Sequence, residues 1–198
     1  MKNINLLILV VALLSIAALI SLRAVNAQER ATEIQKSAAD IQEKVEQALR
    51  LRDKENNIAG AIKIMKEVLA SNPENIGAMV FLAEFYKANG ALEDGLKSVD
   101  KALSIEPKNV FALRVKGDIL VQMGKYKEAE EVINSALSMS KPKTADYALC
   151  YYLLSMIYSK QGLKDKAKAY LEKAIENDPT NQVFKQQLKA MEALVAPK

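Results

Sequence analysis

The feature that most constrains the fold of this 198-residue chain is a phrase that occurs three times. The copies begin at Gly90, Gly124 and Gly162, and each runs through small and charged residues to an Ala-Leu or Ala-Ile pair. The first two copies start 34 residues apart and the second two 38 apart, and Pro73 and Pro107 are also 34 apart. Self-similarity at such a period is the signature of a protein in which each unit packs only on its neighbours. We therefore expect a core built by stacking repeated units.

Each repeat has the pattern of two amphipathic helices. Apolar residues recur at i, i+3, i+4 and i+7 in paired segments, as on the buried face of a helix. The three glycines stand where the first helix of each pair would end, which suits a C-terminal cap. With only seven Gly and five Pro, a turn-rich all-β fold is disfavoured. The pattern predicts an all-α chain.

These helix pairs resemble the tetratricopeptide repeat (TPR) family. Its units carry a large residue, Leu, a small residue and Tyr on the first helix, a small and a large residue on the second, and a closing Pro. One unit supplies Met79, Leu82, Ala83, Tyr86, Gly95, Val99 and Pro107. The next supplies Leu113, Gly117, Leu120, Ala129 and Ile133, with Lys116 in place of Leu and Pro142 one position late. The last supplies Tyr151, Leu154, Ser155, Tyr158, Ala167, Leu171 and Pro179. A degenerate first unit keeps Ala61, Met65, Val68 and Pro73.

The resemblance implies an α-solenoid of about four helix-turn-helix units over residues 42–179. The predicted units cover residues 42–75, 76–109, 110–147 and 148–179, with a longer loop around residues 140–146. A capping helix and tail follow over residues 180–198, because the last exposed apolar face of such an array needs a cover. The apolar stripe predicted for that helix consists of Val183, Phe184, Leu188, Met191 and Leu194.

The N-terminal residues 1–27 form an apolar segment with two interpretations. No charge lies between Lys2 and Arg23, and residues 4–22 are long enough for a helix to span a bilayer. The first interpretation is an uncleaved transmembrane anchor, continued by a stalk helix over residues 28–41. The second is a signal peptide cut after Ala27, since small residues precede Gln28. A buried core helix is a third, less favoured alternative.

The short N-terminal tail favours a body outside the cytoplasm, in the periplasm or an equivalent extracytoplasmic space. Charges on both flanks of the apolar segment do not fix its orientation. The predicted location is the cytoplasmic membrane, crossed once. Secretion to the periplasm is the alternative if the segment is cleaved.

In the TPR family the first helices line a concave groove, and the resemblance assigns this role to outward positions of three helices. A mixture of apolar and charged groups suits an extended peptide or a partner's helix. Arg114 and Tyr152 are the strongest candidates, because guanidinium groups and amphipathic rings serve as interface anchors. The complete set of predicted groove residues is Val80, Glu84, Lys87, Phe111, Arg114, Asp118, Gln122, Tyr152, Met156 and Ser159, with Leu149 as a further position.

The chaperone-binding members of the family grip a terminal carboxylate with Lys, Asn and Arg side chains. The corresponding positions here are Glu46, Arg50, Phe81, Phe111 and Val115. A carboxylate clamp for Hsp70 or Hsp90 is therefore not expected.

Catalysis, cofactors and nucleic acid are not expected either. The chain has no His and one Cys, which removes imidazole-based triads and the common zinc sites. Glu128, Glu130 and Glu131 are interpreted as a hydrated surface, and Cys150 as a small buried hydrophobe. Beyond residue 27 there are 26 basic and 24 acidic residues, without the coherent basic stripe that nucleic acid requires.

The sequence thus predicts a membrane-tethered TPR adaptor or scaffold that binds a peptide or helix of a partner protein in its groove. One alternative is a structural scaffold that self-associates through the stalk or the repeats. Another is a secreted periplasmic TPR protein that presents clients in an assembly pathway. The stripe of Ile34, Ile41, Val45 and Ala48 is compatible with pairing of stalks.

Overall fold

The structure is a computed structural model that describes the backbone of residues 2–193 and the side chains of residues 23, 24 and 26–193. In this part of the chain the secondary structure is helical, with turns between helices, which confirms the all-α prediction. The chain divides into two compact units, Met1–Glu46 and Gln47–Lys198. The helices are α1 (Lys2–Glu55), α2 (Ile58–Ser71), α3 (Ile76–Ala88), α4 (Leu92–Ile105), α5 (Val110–Gln122), α6 (Tyr126–Met139), α7 (Ala145–Lys160), α8 (Lys164–Asn177) and α9 (Gln182–Ala193).

The first unit consists of α1 up to Glu46. The side chains of residues 26–40 are exposed, and that of Ile34 is 71% exposed. Lys44 and Asp40 form an ion pair of 3.2 Å one helical turn apart. Among the residues whose side chains are described, no helix is long and apolar enough to cross a membrane. The span predicted over residues 4–22 lies outside those residues.

In the second unit each first helix packs on the helix that follows it. The pairs are α3 with α4, α5 with α6, and α7 with α8, while α2 packs on α3 and α9 on α8. The first helices α3, α5 and α7 also contact one another in succession. These three helices therefore share one face of the unit, and the predicted groove residues lie on them.

Polar caps fix where the first helices begin. The side chain of Asn75 accepts a hydrogen bond from the Ala78 amide at 2.8 Å, and Asn109 accepts one from Ala112 at 2.9 Å. Such side chains satisfy amide groups that have no partner within the helix. At the other ends, three glycines take the left-handed conformation, which confirms the predicted caps. They are Gly90 (φ +79°), Gly124 (φ +74°) and Gly162 (φ +78°).

Small residues set the distance between paired helices. A Cβ atom added to Gly117 of α5 would lie 2.5 Å from Cγ1 of Ile133 on α6, so only glycine fits there without a shift. At the corresponding position of α7, Ser155 is buried and donates a hydrogen bond to the Ala167 carbonyl at 2.8 Å. Cys150 is fully buried, as predicted, in the core cluster that also contains Ile133.

The extra residues of the last repeat are not all in a loop, which corrects the prediction for residues 140–146. Helix α7 begins at Ala145 and is 16 residues long, whereas α3 and α5 have 13. The Thr144 side chain accepts a hydrogen bond from the Tyr147 amide at 3.3 Å and so starts the helix early. The additional turn places Asp146 on α7, where it meets α5.

Helix α9 covers the last repeat with part of its predicted stripe. Phe184 is 1% exposed and joins Ala148, Leu171 and Ala174 in one core cluster, with Leu188 and Met191 packed around it. Val183 is 56% exposed, so its place in the buried stripe was wrong. Leu194 lies outside the described residues.

Candidate functional site

The shared face of α3, α5 and α7 holds most of the predicted groove residues at its surface. Gln122 and Ser159 are exposed, and six others are half-buried: Glu84, Lys87, Phe111, Asp118, Tyr152 and Met156. Val80 is 1% exposed and belongs to the core cluster formed by α3, α4 and α5, so a partner has no access to it. Its assignment to the groove was therefore wrong, because this side of α3 belongs to the core shared with α4 and α5.

Arg114 is buried between two acidic side chains from different repeats. Its Nη2 group donates to Oε1 of Glu84 on α3 at 3.0 Å, and its Nε group donates to Oδ1 of Asp146 on α7 at 2.7 Å. Only 7% of Arg114 is exposed. A guanidinium fork can serve two carboxylates at once, which a lysine cannot do with fixed geometry. Arg114 thus joins three successive first helices and is not free for a partner's charge, as the sequence interpretation had supposed.

The same row continues toward the N-terminal end of the second unit. Nη1 of Arg52, in the last turns of α1, lies 4.0 Å from Oε2 of Glu84. The charges therefore alternate in sign from one first helix to the next, in the order Arg52, Glu84, Arg114 and Asp146. Each acid or base has its opposite on the adjacent repeat.

A second pair lies one turn further along the helices. Lys87 of α3 donates to the carboxylate of Asp118 on α5, and Gln122 donates to the same carboxylate at 3.3 Å. The side chains of Lys87 and Asp118 are 17% and 16% exposed. We call Glu84, Lys87, Arg114 and Asp118 the paired section of the face, because all four charges are matched within the protein.

Two aromatic rings, Phe111 and Phe81, pack beside the paired section. The guanidinium carbon of Arg114 lies 5.0 Å from the centre of the Phe111 ring, within the range of a cation–π contact. Phe111 meets Phe81 edge to face, with 5.6 Å between ring centres. Phe111, predicted as a groove residue, therefore contributes to the packing of α3 against α5.

Three of the remaining predicted positions form an uncharged row on α7, which we call the α7 section: Tyr152, Met156 and Ser159. Their spacing of four and three residues places them on one stripe of the helix. Leu149, the further predicted position on this helix, is half-buried and packs against the core cluster that contains Phe184. The Tyr152 ring stacks on buried Phe184 of α9, with 5.0 Å between ring centres. No described residue forms a hydrogen bond with the Tyr152 hydroxyl. This section presents an anchored ring, a thioether and a hydroxyl to the surface.

The surroundings move the pKa values of these groups in ways that fix their charge. Burial would lower the pKa of Arg114, but the charges and hydrogen bonds of Glu84 and Asp146 outweigh it and raise the pKa above its ordinary value. Burial, with a smaller contribution from the charge of Asp118, raises the pKa of Tyr152. Arg114 is therefore ionised and Tyr152 neutral at any physiological pH.

The sequence interpretation missed Arg52, Asp146 and Phe184 as members of this face. The three charge contacts of the row span 32, 30 and 32 residues, so opposite charges recurring at about one repeat were a usable signal. Glu130, interpreted as part of a hydrated surface, is half-buried and accepts a hydrogen bond from the Tyr158 hydroxyl. Across the described part of the chain, no three His, Cys, Asp or Glu side chains are placed to hold a metal ion.

Comparison with known protein families decides the identity of the array. Residues 86–187, just over half of the chain, match the family described as the SusR N-terminal TPR domain, and residues 54–116 match the tetratricopeptide repeat. This chain belongs to the TPR family. TPR proteins are protein–protein interaction scaffolds and generally do not perform catalysis themselves.

Individual relatives share parts of this array. Human protein O-mannosyl-transferase TMTC1 is 33% identical over 98 residues, which is 50% of this chain but 11% of that protein. MamA from Desulfovibrio magneticus RS-1 has a TM-score of 0.59 at 21% identity and covers 77% of this chain and 83% of its own. Pseudomonas aeruginosa pilF has a TM-score of 0.68 at 16% identity, covering 79% of this chain and 69% of its own. At these identities, the two structures share the fold of the TPR array with this chain.

Proposed function

We propose that this protein is a membrane-tethered TPR adaptor that holds a segment of a partner protein in the groove lined by α3, α5 and α7, outside the cytoplasm. The observation that carries the proposal is the α7 section, where Tyr152, Met156 and Ser159 remain accessible beside a fully packed core. Aromatic and Met side chains are enriched at protein interfaces because they bury large areas on contact.

Photo-crosslinking tests the groove directly. A benzoyl-phenylalanine residue replaces Met156, and in a matched control it replaces Met139, which lies on α6 and is 41% exposed. In native membranes we expect discrete partner adducts from position 156 and none of the same mass from position 139. Identical adducts from both positions, or none from position 156, would contradict the groove assignment.

The proposed tether rests on the uncharged run between Lys2 and Arg23, which is long enough to span a bilayer. Protease added to the outside of spheroplasts should degrade the TPR array, whereas protection would place it in the cytoplasm. N-terminal sequencing of the mature protein separates the two kinds of N-terminal segment. A start at Gln28 would favour the alternative of a secreted periplasmic protein that presents clients in an assembly pathway.

A second candidate function is a scaffold that self-associates through the stalk. The observation in its favour is the 71% exposure of Ile34 on α1. Burying this large apolar side chain against a second copy of the helix would remove its surface from water and so stabilise a dimer. Analytical ultracentrifugation of the full chain in detergent should show dimers that Ile34→Gln dissociates. A strict monomer at high concentration would exclude this candidate.

A further inference from the structure

The paired section has no charge left to recognise a charged partner. Glu84 is held by Arg114 and Lys87 by Asp118, and the side chains of Glu84, Lys87 and Asp118 are each between 15% and 17% exposed. A partner's carboxylate or ammonium group must displace one of these partners before it can pair. Removing one member of a largely buried pair leaves the other member's charge without compensation, which is strongly unfavourable. An internally neutral surface therefore selects against charged occupants.

The α7 section differs because its polar groups are neutral and its ring is already fixed. Tyr152 is held by stacking on Phe184, so little side-chain entropy is lost when a partner covers it. Met156 is half-buried against the core cluster of α5 to α8, and its flexible thioether adapts to apolar side chains of different shape. Ser159 is exposed and offers a hydroxyl at the rim.

Together these observations identify the chemistry of the occupant, on the basis of the proposed groove function. We propose that Tyr152, Met156 and Ser159 make the principal contacts with the partner, and that the bound segment is uncharged and carries apolar anchor side chains. The paired section holds α3, α5 and α7 in register and borders this contact without supplying ionic attraction. Because no ion pair forms across the interface, binding is insensitive to salt.

A random dodecapeptide library displayed on phage and selected against the full chain tests this proposal. We expect enrichment of peptides with uncharged, apolar centres. Synthetic copies should keep their affinity within about twofold between roughly 0.05 and 0.5 M NaCl, since there is no intermolecular ion pair to screen. Met156→Glu and Ser159→Glu should each weaken binding by about tenfold or more, because a carboxylate then has to lose its water against the apolar side chains of the partner.

Two further variants separate the proposal from general effects. Met139→Glu makes the same change at an exposed Met on α6 and should leave affinity unchanged. Lys87→Gln combined with Asp118→Asn removes the ion pair while keeping the section neutral, and it should change affinity by no more than about twofold. Circular dichroism and the melting temperature establish that each variant is folded, and Ser159→Glu, at an exposed position, is not expected to disturb folding.

The other outcomes overturn the proposal in distinguishable ways. Enriched peptides rich in Asp, Glu, Lys or Arg, with affinity that falls steeply with salt but is still lost in Ser159→Glu, would refute the uncharged occupant and keep the groove. Peptides that bind all four variants equally would place the contact elsewhere and refute the proposed groove function as well. Failure of any peptide to enrich above an irrelevant protein would count against both.

Discussion

The paired section and the α7 section occupy one face of the same array, yet their side chains serve different ends. In the paired section, Glu84 and Arg114 are matched across repeats at 3.0 Å, so their charges stabilise the stacking of α3 on α5. In the α7 section, Tyr152 is held by stacking on Phe184 and Met156 by packing against the core. Both side chains are uncharged, so neither forms an ion pair with another repeat. The comparison shows that a charged residue on the predicted binding face of a repeat protein can belong to the interface between repeats.

The difference has a source in the chain itself. Asp146, which completes the row of alternating charges, lies in the additional N-terminal turn of α7. That turn exists because the last repeat has four additional residues, and Thr144 caps the helix early. The inserted residues thus neutralise Arg114, and the rest of α7 carries a single charge, on the exposed Lys160 at its C-terminal end.

The largest expected effect comes from removing the charge at the centre of the row. Arg114→Leu leaves Asp146 without its base and Glu84 with only Arg52 at 4.0 Å, and the free energy of unfolding should fall by about 3 kcal/mol. Urea denaturation measures this loss. Arg114→Lys keeps the charge but not the fork, so an intermediate loss is expected. If Arg114→Leu is as stable as the natural protein, the row does not hold the repeats together.

The next comparison is between Gly117 and Ser155, the small residues at equivalent positions of α5 and α7. Gly117→Ala forces a Cβ atom against Ile133, and overpacking of this kind should cost about 1–3 kcal/mol. Ser155→Ala on α7 removes a hydrogen bond to the Ala167 carbonyl without adding volume, for a loss of about 1 kcal/mol. Thermal unfolding of the two variants compares them directly. Equal losses of stability would contradict the closer packing of α5 on α6 at Gly117.

The effect that is smallest at neutral pH is a pH dependence of folding stability, which comes from Cys150. Burial raises the pKa of this thiol from its ordinary value of 9.0 to about 12, while the nearby charge of Arg114 opposes the rise. As the pH increases, the unfolded chain loses the thiol proton first, so the thiol lowers folding stability between about pH 9 and pH 12.

Comparison with Cys150→Ala isolates this contribution from that of the tyrosines. The variant should lose less stability over the same pH range than the natural protein. Identical pH profiles would contradict a buried, protonated thiol. In the natural protein at neutral pH, alkylation of Cys150 should also require unfolding, because both burial and protonation suppress the reactive thiolate.

The repeat pattern was sufficient to predict the helix pairs, because period, capping glycines and small residues are local properties of the sequence. Gly90, Gly124 and Gly162 take the predicted conformation, and Gly117 has the close contact expected of a small residue. The extra turn of α7 was missed because a single capping residue, Thr144, decided between loop and helix.

The predicted site was less accurate, because position on a helix does not reveal which neighbours occupy a side chain. Arg114 was interpreted as a partner-binding fork, but its donors are used by Glu84 and Asp146, 30 and 32 residues away in sequence. Val80 was placed on the surface and is buried in the core that α3 shares with α4 and α5. Both errors depend on contacts between repeats, which the pattern of one repeat does not contain.

The central claim is that the charges of this face hold the repeats and the uncharged α7 section holds the partner. A crystal structure of the full chain bound to an enriched peptide tests it most directly. We predict that the peptide covers Tyr152 and Met156 and that Arg114 retains its hydrogen bonds to Glu84 and Asp146. A bound peptide whose carboxylate takes the place of either acid on Arg114 would contradict the account.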